Sequence, residues 1–522
     1  MHCPIIGFYT ICNTYPLTIA VAKEVKKINP LISIIFGGPQ ASLTAKETLQ
    51  TYNFVDVISV GEGEKTICNL VDQITNNKSL HVVQGIVFRD EDGTVVQTDS
   101  PPLISGKELS DYTVFDIDEY NGFRDGKSNH FIHSIEAGRG CPYGCSFCST
   151  SLFWGRTFRV KDINNIINEL RFFNSKYGIV KFRLEHDLFT ANKTYVSDFC
   201  RKLKASNLNI IWGCSSRIDI LDLDLIHTLK SSKCNAIYIG FESGSQRMQR
   251  ILNKNIPVEQ AHERLLQLHQ NGFDLTISFI YGFPEEDESD FFKTVQLLEF
   301  LYCNGMGKLQ LHKFIPLPVT EETGKVKDIL KLDHTDIDIS IFRSSHFCNS
   351  LSEIIEKSPS IHSCFYTFPS VLRDKYKHMD ILITCISLSY NMFKLSIKFL
   401  IEKYGLINIY LTNEEKINKC FQNMQSETIL TSFSESADNQ FLFQLALSIV
   451  ADTISNESFI FSNIAQYEKD LYQFTYFSKV NICHHTYSVD IFEAVKSQTI
   501  PIAPLKTTIK FTRENNIVSI SR

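Results

Sequence analysis

Three cysteines, Cys141, Cys145 and Cys148, stand in a C-x3-C-x2-C arrangement within Glu136 to Phe158, EAGRGCPYGCSFCSTSLFWGRTF, directly after a strand-like segment. Thiolates at these separations converge from one loop onto one metal centre. Cuboidal iron-sulfur clusters take four soft ligands, and only three are offered here, which leaves one iron for a small molecule. Gly138, Gly140 and Gly144 let the loop wrap closely around an inorganic core, because glycine adopts backbone angles that other residues resist. A structural zinc site requires a fourth Cys or His at matching spacing, and no paired motif nearby supplies one. Gly and Pro around the thiols oppose the packing of ordinary core cysteines.

The rest of the chain must present a pocket to that loop. Its 522 residues suffice for two or three domains with separate cores. A composition of 43% hydrophobic and 21% charged residues is that of a chain that folds throughout. The net charge of -6 argues against a general nucleic-acid binder, which needs a basic surface. No apolar run reaches a membrane span; the nearest, Met379 to Leu388, is soon broken by Ser and Asn. The start, MHCPIIGFYTICN, lacks the basic flank and cleavage site of a secretory signal, so a cytoplasmic location is expected. The other cysteines, such as Cys68, Cys200, Cys303 and Cys385, are scattered singly as small hydrophobes and form no disulfide framework.

Periodicity predicts an α/β protein. In residues 1–100, strand-like PIIGFYT, LISIIFGG and VDVISVGEGE alternate with helical LTIAVAKEVKKI, AKETLQTY and TICNLVDQI, the rhythm of a parallel, Rossmann-like sheet. A hairpin with Asp92-Gly93 at its turn follows within His81 to Thr98. Residues 101–130 read as a linker. In residues 131–330, the pieces FIHSIEA, VKFRLEHD, LNIIWGCSS, AIYIGFES, LTISFIYG and KLQLHKFI alternate with helical patterns, as in a partial (β/α)6 barrel whose site lies at the strand C-terminal ends. Residues 331–522 read as mostly helical, closing with strands TTIKFT and NIVSIS. His484, His485 and Tyr487 in that region receive no role.

The run CPYGCSFC, with Phe147 before the last cysteine, resembles the signature of the radical S-adenosylmethionine (SAM) superfamily. The resemblance implies a 4Fe-4S cluster on Cys141, Cys145 and Cys148 whose fourth iron is chelated by SAM, and reductive cleavage of SAM to a 5'-deoxyadenosyl radical. Phe147 is the motif's aromatic residue on the SAM side. FRLEHDLFT (Phe182 to Thr190) falls where the family's second strand helps hold the SAM amino group, which makes Glu185, His186 and Asp187 candidates, although the usual Gly-Gly-Glu form is absent. WGCSSRID and IYIGFESGSQRMQRILNK resemble the third and fourth strands, placing Ser216, Arg217 and Glu242 at strand ends toward SAM; alternatively Arg217 and Glu242 pair with each other and tie strands together. Gly282, in ISFIYGFPEEDESD, is expected to permit close approach to a cofactor.

FGGPQAS and VGEGE resemble loops of the cobalamin-binding domain that precedes many radical SAM domains, which implies cobalamin near Gly37, Gly38, Gly61 and Gly63. The resemblance implies that the segment begins at a middle strand of that domain, either as a truncated start or as true reduction, and no Asp-x-His-x-x-Gly segment supplies a cobalt ligand. The resemblance therefore implies a radical SAM enzyme of the cobalamin branch that modifies a natural-product, peptide, lipid or tetrapyrrole-like substrate by methylation, cyclisation or oxidation. Its implied partners are a small-molecule or peptide substrate and an external electron donor of flavodoxin or ferredoxin type, with neither membrane nor nucleic acid. The contrasting reading is a non-catalytic iron-sulfur or cobalamin-binding accessory protein, with catalytic residues unassigned in either case.

Overall fold

Short apolar runs separated by amphipathic helices build the first sheet in the computed structural model of the chain, which describes residues 4–115, 132–333, 348–391, 393–427, 445, 448–449, 482–487, 507–514 and 517–521. Strand β1 (Ile5–Tyr9), helix α1 (Tyr15–Ile28), β2 (Ser33–Gly37), α2 (Pro39–Leu43), α3 (Ala45–Thr51), β3 (Val57–Ser59) and α4 (Thr66–Thr75) follow in turn, and β1, β2 and β3 pair in parallel. β4 (Ile86–Arg89) and β5 (Val95–Gln97) complete the sheet as the expected antiparallel hairpin, with Gly93 at φ 86 in its turn. Tyr15, Ile19, Ile34, Phe36, Leu49 and Ile58 are wholly buried between sheet and helices.

Residues 101–115 are packed against their surroundings. The N–H of buried Ile104 donates to Glu62 Oε2 at 3.1 Å, and Gly106 O accepts from Asp162 N at 3.1 Å. The rest of the expected linker lies outside the described residues.

The second sheet arises from alternation along its strands. β6 (His133–Glu136) precedes a small ribbon of β7 (Gly138–Arg139) and β8 (Arg159–Val160), with helix α5 (Ser149–Phe153) between them. There follow α6 (Ile163–Tyr177), β9 (Lys181–Glu185), α7 (Lys193–Ala205), β10 (Ile211–Ser216), α8 (Leu223–Ser231), β11 (Cys234–Glu242), α9 (Gln246–Ile251), α10 (Val258–Gln270), β12 (Asp274–Tyr281), α11 (Glu288–Cys303), β13 (Leu309–Lys313) and α12 (Glu321–Val326). The strand order is β13-β12-β11-β10-β9-β6, the six strands of a partial barrel. Ile135, Phe182, Leu184, Trp212, Cys214, Ile237, Ile239 and Ile277 are buried on one face beneath the helices. On the other, polar face the register sets Ser134 beside Arg183 and Ser215 beside Tyr238 and Thr276, and Arg183 Nη2 donates to Ser215 Oγ at 3.4 Å. Local signals set the helix ends: Asp162 caps α6 by accepting from Asn164 N and Asn165 N, and Gly178 closes it at φ 69.

The chain divides into two compact units, Met1–Asp290 with His312–Lys375, and Phe291–Leu311 with Tyr376–Arg522. The first thus carries β14 (Lys331–Leu332), α13 (Cys348–Lys357), β15 (Tyr366–Thr367) and α14 (Val371–Lys375) beyond the barrel. There Gln40 Nε2 donates to Ile361 O at 2.7 Å, and Tyr52 OH meets His362 Nε2 at 3.0 Å. The second unit holds α15 (Met379–Ser389), the helical stretch α16 (Lys394–Glu427) broken at Gly405, and an antiparallel sheet of β16 (Ile482–Tyr487), β17 (Thr507–Glu514) and β18 (Ile517–Ser521). Both closing strands expected from the sequence are present. The unit is tied internally by Tyr302 OH to Ser387 Oγ at 2.7 Å and Leu406 N to Glu299 Oε1 at 2.6 Å. Among the described residues no helix is long and apolar enough to cross a membrane.

Candidate active site

The three cysteines lie on the loop between β7 and α5, with Cys148 as the N-cap residue of α5 and its N–H donating to Cys145 O at 3.1 Å. All three are partly exposed and free, and Cys148 acts electrostatically on both Cys141 and Cys145, so the thiols gather in one place. The loop is held at both ends. Asp187, just past β9, accepts from Gly140 N at 2.8 Å; Ser146 N donates to Leu252 O at 3.0 Å; and Ser146 Oγ donates to buried Glu322 Oε1 at 2.6 Å. Gly140 sits at φ 89 and a methyl there would fall 2.2 Å from Thr157 O, so only glycine fits.

Burial pushes the Cys141 and Cys145 thiols above their ordinary pKa, so metal must supply the charge that makes them thiolates. Two buried cations act against burial at Cys145, namely Lys254 and Arg217. Among the described residues no group of three His, Cys, Asp or Glu side chains is gathered tightly enough to hold a single metal ion. A cluster that spaces its thiolates around a core has no such requirement. The donor set therefore fits a three-thiolate cluster flanked by compensating cations.

Several candidates have their side chains engaged within the protein. Glu185 is half exposed on the polar face of β9, paired to Arg183 at 3.1 Å and accepting from Ser134 Oγ at 2.8 Å. His186 is buried and satisfied, with Nδ1 accepting from Leu188 N at 2.9 Å and Nε2 donating to Arg159 O at 3.1 Å; burial pushes its pKa down to about 4, so it is a neutral wall residue. Ser216 Oγ bonds to Thr190 Oγ1 at 2.7 Å and to Arg217 O at 3.1 Å, which joins strand ends. The ring of Phe147 packs edge-on to Phe283 at 5.8 Å.

The pairing of Arg217 with Glu242, one of the two readings of those residues, does not occur. Arg217 forms a fork with Asp219 at 3.0 and 2.9 Å and lies over the Tyr143 ring at 4.0 Å. Glu242 takes Lys254 Nζ instead, at 2.7 Å. Glu242 stands at φ 70, where the pairing of β11 with β12 shifts register, a strained conformation of the kind that clusters at functional sites. The role expected of Gly282 also changes: a methyl there would meet Arg373 Cγ at 2.8 Å, so the glycine makes room for an arginine stem.

Beside the cluster loop opens a cavity of about 910 Å³, large among ligand sites. Gly37, Gly38, Gly61 and Gly63 line one side, and Glu136, Arg139, Trp154 and Asp187 line the other. Gly38 sits at φ 95, and a methyl there would fall 2.7 Å from Thr10 O. The glutamates of VGEGE hold the two sides together: Arg139 binds Glu62 at 2.8 Å, Glu64 at 2.7 Å and Glu136 at 2.6 Å, while Arg159 binds Glu62 at 2.8 Å. Burial opposes the charge on Arg139, but its three carboxylates overcome this and hold its pKa above the ordinary value. Protein packed around the Asp187 carboxyl raises its pKa, against the Gly140 N–H that favours the charged form.

Residues 135–298 match the family described as the Radical SAM superfamily, a span that begins at β6 and contains the whole cysteine loop. The chain thus carries a radical SAM domain. Its cofactors are a 4Fe-4S cluster and SAM, and it is a radical SAM enzyme. An uncharacterized methyltransferase of Pyrococcus horikoshii is 28% identical over 390 residues, which cover 73% of this chain and 82% of the relative. The anaerobic magnesium-protoporphyrin IX monomethyl ester cyclase of Rubrivivax gelatinosus is 28% identical over 276 residues, 52% of this chain and 48% of the relative, so the match spans about half of that protein. In fold, the chain resembles the radical SAM methyltransferase TsrM from Kitasatospora setae, a structure with cobalamin and a 4Fe-4S cluster bound, with a TM-score of 0.56 at 15% identity over 81% of this chain and 88% of that one.

Sequence reasoning missed Lys254, Asp219, Glu62 and Glu322. Asp219, Lys254 and Glu62 lie inside WGCSSRID, IYIGFESGSQRMQRILNK and VGEGE, but nothing in their spacing identified their partners.

Proposed function

We propose that Cys141, Cys145 and Cys148 ligate the cluster, that the Gly38 cavity holds cobalamin, and that the enzyme transfers a methyl group to a small organic or peptide substrate. The observation that carries this reading is that one cavity is walled jointly by the glycine loops of the first sheet and by Arg139 and Asp187 beside the cysteine loop. The methyltransferase relative and the cobalamin-bound structural neighbour support it. When bound, the cluster and SAM supply radical initiation and cobalamin supplies methyl transfer.

This chain's own residues bind, orient and exclude water. Lys254 and Glu242 offer an adjacent cation and carboxylate, which match the carboxylate and amino group of the methionyl part of SAM. Among the described residues Lys254 Nζ donates only to Glu242 and so keeps donors for a ligand. Asp187 fixes Gly140 and thereby the first thiolate. Glu62 and Arg139 fix the cobalamin side against the cluster side. The polar sheet face, with Ser134, Arg183, Ser215 and Tyr238, gives the substrate hydrogen-bonding groups.

Within this proposal the division into domains is 1–100, 101–130, 131–330 and 331–522. The free thiols among the described residues agree with a reducing, cytoplasmic location. The test is anaerobic reconstitution with and without hydroxocobalamin. Stoichiometric cobalamin binding, and S-adenosylhomocysteine formed only in its presence, support methyl transfer. A holoenzyme that binds cobalamin and releases only 5'-deoxyadenosine indicates a cyclisation or oxidation instead.

A further inference from the structure

Two cysteines from opposite ends of the first unit's sequence meet side by side. Cys12 opens the 3-10 turn Cys12–Thr14 that leads from β1 into α1, and Cys364 lies in the turn Ser363–Phe365 between α13 and β15. The two turns pack against each other, and Cys12 lies on the buried group formed by Ile355, Cys364, Phe365 and Tyr366. Cys364 is buried, whereas Cys12 is partly exposed. The Cys364 thiol hydrogen-bonds to the Cys12 sulfur, which also accepts from the backbone N–H groups of Asn13 and of Cys12 itself.

Two touching core cysteines are ordinarily no more than small hydrophobes. Cys12 differs in its surroundings. It sits just ahead of the 14-residue helix α1, at the helix end that favours an anion. The hydrogen bond from Cys364 holds the Cys12 thiol below its ordinary pKa against burial, with the two N–H groups in support. Burial moves Cys200, Cys303 and Cys420 the other way, up to about 11. A thiolate-prone sulfur open to solvent, with a second thiol in contact, is the arrangement of a reactive cysteine and its resolving partner. The pair also stands between two parts of the fold. Thr10, two residues before Cys12, frames the glycine wall: its Oγ1 donates to Gly37 O at 2.8 Å and accepts from Ala41 N at 2.9 Å. Ser363, adjoining Cys364, donates from Oγ to Pro316 O at 2.6 Å, on the segment that leaves β13.

We infer that Cys12 and Cys364 form a reversible disulfide on exposure to peroxide, with Cys12 as the attacking sulfur and Cys364 as the resolving one. The Cys12 thiolate attacks one oxygen of hydrogen peroxide: an S–O bond forms, the O–O bond breaks, and the departing hydroxide takes up the proton that the thiol gave away. The Cys364 sulfur then attacks the Cys12 sulfenic acid, so that the S–S bond forms, the S–O bond breaks and a second water leaves. The two thiols together lose two electrons, and one peroxide is reduced to two waters. A dithiol reductant reverses the change by exchange. The bond ties the turn between β1 and α1 to the segment beyond the barrel, and so fixes Thr10 and the Gly37-Gly38 loop that it holds. No step uses the cluster, SAM or cobalamin, so the inference stands apart from the proposed function.

The experiment titrates the reconstituted full chain with hydrogen peroxide under anaerobic conditions, until a cysteine other than these two is also oxidised. Samples are quenched with N-ethylmaleimide and digested without reduction for mass spectrometry. The expected result is a peptide pair joined through Cys12 and Cys364 that appears first and that dithiothreitol separates. In Cys364→Ser, dimedone should trap a sulfenic acid on Cys12. Before any peroxide is added, iodoacetamide at neutral pH should label Cys12 at least about tenfold faster than Cys303, which is likewise partly exposed. Amide exchange at Ala41 should slow in the cross-linked chain. Oxidation of other cysteines with no Cys12–Cys364 pair overturns the inference, and so does a sulfenic acid on Cys364 beside an intact Cys12. Unchanged exchange at Ala41 in the cross-linked chain overturns the coupling to the glycine wall. The parent chain alone decides the central point, whether or not Cys364→Ser folds.

Discussion

Lys254 Nζ lies 2.7 Å from Glu242 Oε1, with the two side chains only 8% and 10% exposed and the ring of Phe147 at 5.9 Å from the ammonium. Gly240 leaves room for the pair, because a methyl there would meet Glu242 Oε1 at 2.5 Å. Removing the cation alone strands a buried carboxylate, which costs about 3–5 kcal/mol. Lys254→Met is therefore expected to lose that much in anaerobic guanidinium unfolding and to lose affinity for SAM. Adding Glu242→Gln should restore more than half of the stability and none of the SAM affinity. A single variant as stable as the parent contradicts the account of the pair.

Asp187 acts on the cluster through Gly140, whose N–H it accepts at 2.8 Å. Asp187→Ala frees the loop and should lower iron retained per chain after reconstitution and desalting. Asp187→Asn keeps an acceptor oxygen and should retain iron close to the parent level. Equal iron in both variants means that Asp187 does not position the loop.

Stability should bend with pH in two opposite senses. Burial raises the Glu286 carboxyl from 4.5 to about 8, although Gly282 N and Phe283 N donate to it. The folded state thus holds an extra proton: the contribution is fully present below about 4.5 and is lost as pH rises through about 8. Burial lowers His186 from 6.5 to about 4, so its contribution is present above 6.5 and lost as pH falls through about 4. Glu286→Gln should flatten the alkaline limb of the melting temperature and leave the acid limb in place. An unchanged alkaline limb assigns it to another group.

The cavity wall can be tested with two glycines that differ in strain. Gly38→Ala forces a methyl to 2.7 Å from Thr10 O at φ 95, so it should destabilise the fold by about 1–3 kcal/mol and weaken cobalamin retention. At Gly63 a methyl meets nothing within 4 Å, so Gly63→Ala should leave unfolding unchanged while still intruding on bound cobalamin. Cobalamin binding unaffected by both changes removes the corrin from this cavity.

The sheets were legible because burial on one face writes a period of two into strands such as β9, where Phe182 and Leu184 alternate with Arg183 and Glu185. The cysteine loop was legible because its ligands are local in sequence. The charge pairs were not: Arg139 and Glu62 are 77 residues apart, and nothing local indicates that two loops of different sheets meet. Arg217 and Glu242 lie buried at strand ends, but Asp219 and Lys254 took the partner positions. Gly282 was read from its type alone, and the arginine stem that needs the space comes from 91 residues further on.

The most direct test is the fate of SAM on the anaerobically reconstituted, dithionite-reduced enzyme, compared with Cys145→Ala. The expected result is a reduced 4Fe-4S signal in electron paramagnetic resonance that changes when SAM is added, with cleavage or demethylation of SAM. Cys145→Ala should lose both the signal and the products. SAM turnover that survives Cys145→Ala, or a full cluster whose signal ignores SAM, would contradict it.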